Sequence, residues 1–293
     1  MKKKRKMTSR LYLMYIVAML PLIAFGLYKN GVIPYVNNYV DIMGALKPLI
    51  LILTSISASF LANFLKEYRT TKKIDFSILD KSKATLIESA LLAMMLPLKS
   101  SPLILFIVVF LSYMFLGKVR FNRVAAIYII IAIINRFLGL NYYLNPYQAG
   151  REFSYNGLDL FLGLGEGGIC STSILLIAIA LLYLSFSNLY KKDLVIPAII
   201  AFLVFGIGAN MISGNYAGMF ESVFGNNALF ALVFVAPNLY SSSYTQKGQT
   251  LYGIVLGLLT YALIYAIPYS AAPLAILLVN PLKNIFDRIF VIK

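Results

Sequence analysis

Apolar stretches of membrane length recur along this chain from end to end, with polar residues gathered in the intervals between them. They cover residues 11–28, 40–65, 84–97, 102–117, 124–140, 169–187, 194–213, 224–238, 250–267 and 270–286. A bilayer core offers the backbone no water, so each stretch predicts a helix that satisfies its own amide groups. The pattern therefore predicts an all-α polytopic membrane protein of about ten transmembrane helices. The segments at 84–97 and 224–238 are short and close on Pro97 and Pro237. Short segments ended by proline predict broken helices that meet near the midplane.

The basic residues orient this pattern. With the N-terminus inside, 21 of the 26 Lys and Arg residues fall on inner intervals, notably Lys2 to Lys6, the 66–83 interval, and Lys118 to Arg123. Lys29, Lys47, Lys99, Arg136 and Arg151 lie outside or at the outer edge. An even split is the chance expectation, so the asymmetry predicts both termini inside. Five spans per half then place two halves in opposite orientation. The expected organisation is a basic N-terminus at 1–10, a first five-helix half at 11–140, an outward-facing Gly-rich loop at 141–168, and a second half at 169–293. An internal echo supports the two halves: ALLAMMLPLKSS at 90–101 and ALFALVFVAPNLYSS at 228–242 are both apolar runs ending in proline, followed by paired serines.

Composition narrows the chemistry. The chain has 293 residues, 60% of them hydrophobic, and a mean hydropathy of +0.81, above the range of soluble domains. This predicts a multi-pass protein of the cell membrane. The net charge of +15 then reads as a topology signal and an attraction to anionic lipid, not as a nucleic-acid surface. There is no histidine and a single cysteine, Cys170. Histidine-ligated haem or zinc, histidine proton relays and internal disulfides are excluded. A redox cofactor here would be held by backbone, hydroxyl, amide and aromatic groups, which suits a flavin or a quinone better than a metal. No P-loop or metal-ligand spacing is present.

Three constellations stand out. The first is the Gly-rich run before the sixth apolar stretch, with Gly163, Gly165, Gly167 and Gly168 leading into Ser171, Thr172 and Ser173. Glycine permits close backbone approach, and the first turn of a helix presents unpaired N–H groups to an anion or an electron-rich ring. An ordinary N-cap beneath a loop explains the same residues. The second is intramembrane charge. Glu88 lies about one turn inside the third stretch and is an ion or proton candidate; Arg136 lies near the outer end of the fifth. Snorkelling to the interface is the alternative for both, and their positions near opposite faces predict that they do not pair. The third is the polar break after Pro237, where Asn238, Ser241, Ser242, Ser243 and Thr245 supply donors and acceptors. Gly253 and Gly257 beyond it form a small-xxx-small packing face.

The C-terminal stretch resembles the NqrB/RnfD family, membrane subunits of ion-translocating flavin electron-transport complexes. That family ends in T-D-P-x-(S/T)-S-P-x-T-x-x-G-Q-x-x-(F/Y)-G-I-x-x-G-x-L-T, then A-I-L-L-x-N and a D-R pair. Ser241, Ser242, Thr245, Gly248, Gln249, Tyr252, Gly253, Ile254, Gly257, Leu259 and Thr260 fall on the first pattern without a gap. Ala275 to Leu278, Asn280, Asp287 and Arg288 continue it. Leu20-Pro21, Leu96-Pro97, Pro102-Leu103, Gly117-Lys118, Arg136-Phe137 and Thr172-Ser173 resemble further family motifs. The resemblance implies ten helices in two inverted five-helix halves. Its departures bear on mechanism. The family links FMN covalently to a threonine before the sixth span; Gly157 stands there, with no hydroxyl, so covalent FMN is not expected. Ser171 replaces a glutamate, Asn238 an aspartate and Ser243 the second proline.

The resemblance thus implies a membrane electron-transfer subunit. It would pass electrons between a quinone or partner subunit and an extracytoplasmic flavoprotein, through non-covalent flavin (FMN or riboflavin). Arg136, Gly167, Gly168, Ser171, Thr172 and Ser173 would form an outer pocket; Asn238, Ser241, Ser242 and Thr245 would form an inner one. A neutral Asn238 would make that inner site less attractive to a cation. A small-solute channel or transporter on the same scaffold and a cofactor-free assembly subunit are the alternatives.

Overall fold

The computed structural model describes residues 2–72, 78–116, 121–140, 143, 157–215, 219–238 and 242–289. Ser241 and most of the 141–156 interval lie outside them. Every regular element among the described residues is helical. Helix α1 (Lys2–Leu27) passes through a π-helical turn (Tyr28–Val32) into α2 (Ile33–Val36). The first part of the chain continues with α3 (Ile42–Thr71), α4 (Ile78–Met95), α5 (Pro102–Phe115) and α6 (Arg123–Phe137). A short α7 (Gly157–Leu162) precedes α8 (Ile174–Ser185), α9 (Lys192–Ile212), α10 (Met219–Phe224) and α11 (Ala228–Phe230). A second π-helical segment (Ala231–Val235) leads on to α12 (Gln246–Ile264), α13 (Ala271–Val279) and α14 (Lys283–Ile289).

Each of the ten apolar stretches overlaps a helical element. Among the described residues, three helices are long and apolar enough to cross a membrane: Ser9–Val36, Ile42–Thr71 and Lys192–Ile212. Pro102–Phe115, Ile174–Ser185 and Met219–Val235 are shorter apolar helices. The start points follow capping residues. Asp41 accepts from the Gly44 amide at 2.8 Å, Asn122 from Ala125 at 3.2 Å and Thr245 from Gly248 at 3.2 Å. One boundary differs from expectation: Ser171 and Thr172 precede α8 instead of sitting in its first turn, and Ser173 is the N-cap. The 84–97 segment is also longer than it reads, because α4 starts at Ile78, ahead of residues whose charge hides its first turns.

The proline-ended segments lie at the centre. Leu92 through Leu96 are fully buried, and Ala228 through Ala236 are buried throughout. The second segment is interrupted between α10 and α11, and its last turn is π-helical. Around them, α3 packs on α4 and α5, and α9 packs on α12. The α9–α12 contact is closer than side chains allow. A Cβ at Gly253 would collide with the Leu194 carbonyl, and one at Gly257 with the Ala198 carbonyl. The small-xxx-small face is therefore a helix-packing face.

Candidate functional site

A helix ending inside a bundle leaves its last carbonyls without intrahelical donors. At the end of α4 those carbonyls are met by residues from the second half of the chain. Met94 accepts from the Cys170 amide at 2.9 Å, and Leu96 from the Ile169 amide at 3.0 Å. Met95 accepts from the Asn227 side-chain amide at 3.0 Å. Asn227, fully buried, also accepts from the Gly168 amide at 3.0 Å and the Ser171 hydroxyl at 2.6 Å. Gly168 must be glycine for this approach, since a Cβ there would stand 2.6 Å from the Met95 carbonyl.

Lys29 completes this first cluster. Its ammonium, buried in the π-helical turn after α1, donates to the Gly165 carbonyl at 2.5 Å and the Thr172 hydroxyl at 3.1 Å. The Thr172 hydroxyl in turn donates to Gly163 at 2.8 Å. Asn30 donates to Ile169 at 2.7 Å. A tyrosine relay borders the cluster. Tyr128 shares a hydrogen bond with Tyr143 at 2.5 Å and is reached by Asn227 at 3.3 Å. The Tyr143 ring stacks on Tyr269 at 3.9 Å, and Tyr269 donates to Glu166 at 3.1 Å.

The second cluster surrounds the end of the segment interrupted between α10 and α11. The Val233 carbonyl accepts from the Tyr190 hydroxyl at 2.9 Å and Val235 from Asn122 at 2.7 Å. Glu88 is held rather than free to snorkel. It pairs with Arg123 at 2.8 Å and accepts from Tyr113 and from Asn238, each at 3.2 Å. Beside it lies a cavity of about 60 Å³, lined in part by Tyr12, Tyr15, Leu91 and Phe234. Further along, Asp287 accepts from the Ser243 hydroxyl, from the Tyr244 amide at 3.1 Å, and from the Thr245 amide and hydroxyl at 2.9 Å each. Burial works against its charge, but these donors hold its carboxyl below the ordinary value of 3.8. Lys191 lies inside the same loop. Burial pushes its ammonium down to about 8, nearby Lys283 adds to that, and Asp287 opposes it.

The NQR2, RnfD, RnfE family model matches residues 2–123 and 136–293. The chain belongs to this family. No curated protein matches it. Family membership and the apolar helices make it a membrane protein, among the membrane subunits of Rnf/Nqr-type complexes.

Within this family member, the residues singled out from sequence separate into three places. Gly167, Gly168, Ser171, Thr172 and Ser173 lie together around Asn227 and Lys29. The N–H groups of 167–170 are taken by Tyr143, Asn227, Leu96 and Met94, so the chain itself uses the donors that an incoming anion would need. Glu88, Asn238, Ser242 and Thr245 lie in the second cluster; Ser241 is outside the described residues. Arg136 stands apart, exposed at the end of α6. It lines a groove of about 430 Å³ with Ile129, Ile133, Ile267, Tyr269 and Leu274. Lys29, Asn122, Arg123, Lys191 and Asn227 are the polar residues that sequence reasoning passed over. Lys29 stands there only as an exception to the charge asymmetry, and Lys191 is not singled out. The signal for Asn227 was its place directly before a buried apolar run.

Proposed function

We propose that this protein is the electron-transfer membrane subunit of an Rnf/Nqr-type complex. It works beside other membrane subunits and passes electrons between a quinone or partner subunit and an extracytoplasmic flavoprotein. Non-covalently held flavin, FMN or riboflavin, is the cofactor of this reading. When bound, it supplies reversible one- and two-electron exchange.

The observation that carries the reading is the Arg136 groove. Its volume lies in the range of small-molecule sites, roughly 300–1,000 Å³, and its walls are apolar with Arg136, Tyr269 and Ser270 as polar points. Arg136 suits a phosphate by charge and by its planar fork of donors. The isoleucines and Leu274 would screen a flat ring from water. Tyr269 ties the groove to the first cluster through Tyr143 and Glu166. The space beside Gly167 is taken by Thr172 and Asn227 and that beside Gly168 by Ser171 and Met95, while Lys29 bonds to Gly165 and Thr172. Gly157 opens α7 and has no hydroxyl, so a phosphoester to FMN is not available at that position.

The test is to purify the protein and record absorbance and flavin fluorescence before and after acid denaturation. Released flavin is expected, with none left on the polypeptide in a denaturing gel. Arg136→Ala should weaken FMN binding more than riboflavin binding. Folded protein that carries no flavin and takes up none would overturn the reading. It would favour a cofactor-free assembly subunit, which the self-satisfied donors of residues 167–170 also suit.

A further inference from the structure

Lys191 is in an electrostatically poor place for a cation. It is the N-cap residue of α9, where the helix dipole is positive, and it is buried. Its surroundings compensate. The ammonium donates to the Ser242 hydroxyl oxygen at 2.7 Å and to the backbone carbonyls of Ser243 at 3.0 Å, Ser242 at 3.2 Å and Asn238 at 3.5 Å. The Ser242 hydroxyl donates its own proton to Asn238 at 2.8 Å, which turns a lone pair toward the ammonium. The Tyr244 ring covers the group, with its centroid 5.0 Å away. Carbonyl oxygens cannot bond to one another, so three of them around one point need a shared donor or a cation there. Asp287 pins the Ser243 and Tyr244 part of this turn from the far side.

We infer that residues Asn238, Ser242 and Ser243 form a monovalent-cation cage, and that the Lys191 ammonium is its built-in occupant. Backbone carbonyls are the ligands that replace the hydration shell of potassium-sized ions. The spacing is too wide for magnesium or calcium, whose oxygens stand about 2.0–2.6 Å from the metal. The oxygens turned toward the nitrogen are acceptors, which the ammonium form satisfies. The cage in this chain is therefore closed to free ions by a tethered one. The inference stands whether or not the protein carries a flavin.

The experiment uses the full chain in detergent, with rubidium as the probe and choline chloride at equal ionic strength as the control. Lys191→Ala should bind one rubidium per chain, and rubidium should raise its Tm by about 5–10 °C at about 100 times Kd. The wild type and Lys191→Met, whose side chain fills the space without charge, should show neither effect. A folded Lys191→Ala protein without rubidium binding, or equal binding by the wild type, would overturn the proposal. Amine-reactive labelling of the wild type near neutral pH covers the case in which the alanine variant does not fold. Lys191, enclosed by its oxygens and the Tyr244 ring, should label more slowly than the exposed neighbour Lys192 even though its lowered pKa gives it the larger free-base share; equal or faster labelling also overturns the proposal.

Discussion

Asn227 donates its side-chain amide to the Met95 carbonyl at 3.0 Å, across 132 residues of chain. This bond joins the end of α4 to the start of the α11 segment. The same side chain serves Gly168, Ser171 and Tyr128, so one residue satisfies polar groups from several separate parts of the chain. Asn227→Leu should therefore cost more than one interhelical hydrogen bond, which is worth about 0.6–2 kcal/mol in membrane proteins. A loss of about 2–3 kcal/mol is expected, read as a lower Tm in detergent, with Asn226→Leu as the comparison. Equal effects at the two positions would remove the joining role.

Local patterns made the scaffold legible. The apolar stretches, the closing prolines Pro97 and Pro237, and the four-residue spacing of Gly253 and Gly257 all act through neighbours in sequence. The polar clusters were not legible, because their partners are distant. Lys29 meets Thr172 across 143 residues, and Glu88 meets Asn238 across 150. A lysine at the end of an apolar stretch looks like a topology marker until the fold places carbonyls around it. Glu88 was visible as an intramembrane charge, but Arg123 looked like an ordinary basic residue on an inner interval.

The Glu88–Arg123 pair predicts a non-additive mutant cycle. Arg123→Met leaves a buried carboxylate with Tyr113 and Asn238 as its donors among the described residues. Breaking a buried pair costs about 3–5 kcal/mol, and the partial exposure of Arg123 reduces the expected loss to about 2 kcal/mol. Glu88→Gln alone should cost less, and the double variant should be more stable than Arg123→Met. Chemical or thermal denaturation of the four proteins yields the coupling. Additive losses would show that the pair does not act as a unit.

The α9–α12 contact predicts opposite outcomes for two glycines. A Cβ at Gly253 has no space, whereas one at Gly208 meets nothing within 4 Å. Gly253→Ala should lower stability by about 1–3 kcal/mol through overpacking against the Leu194 carbonyl. Gly208→Ala should be neutral or stabilising by about 0.4–1 kcal/mol, since alanine has less chain entropy to lose on folding. Comparison of the two melting curves checks the contact directly.

Asp287 predicts how the protein responds to acid. Its carboxyl is held below 3.8 by the donors of Ser243, Tyr244 and Thr245. A carboxylate whose pKa is lowered on folding binds fewer protons in the folded state than in the unfolded state. Its contribution to stability is thus complete above the unfolded value and is lost as pH falls through the folded one. Wild-type Tm should decline from about pH 5 downward. Asp287→Asn should start lower at neutral pH, because its amide nitrogen cannot accept what a carboxylate oxygen accepts, and its decline below pH 4 should be shallower. Melting curves of both proteins across this range decide it. Parallel curves would mean that the acid response comes from other carboxylates, and that the turn around Lys191 does not depend on the charge of Asp287.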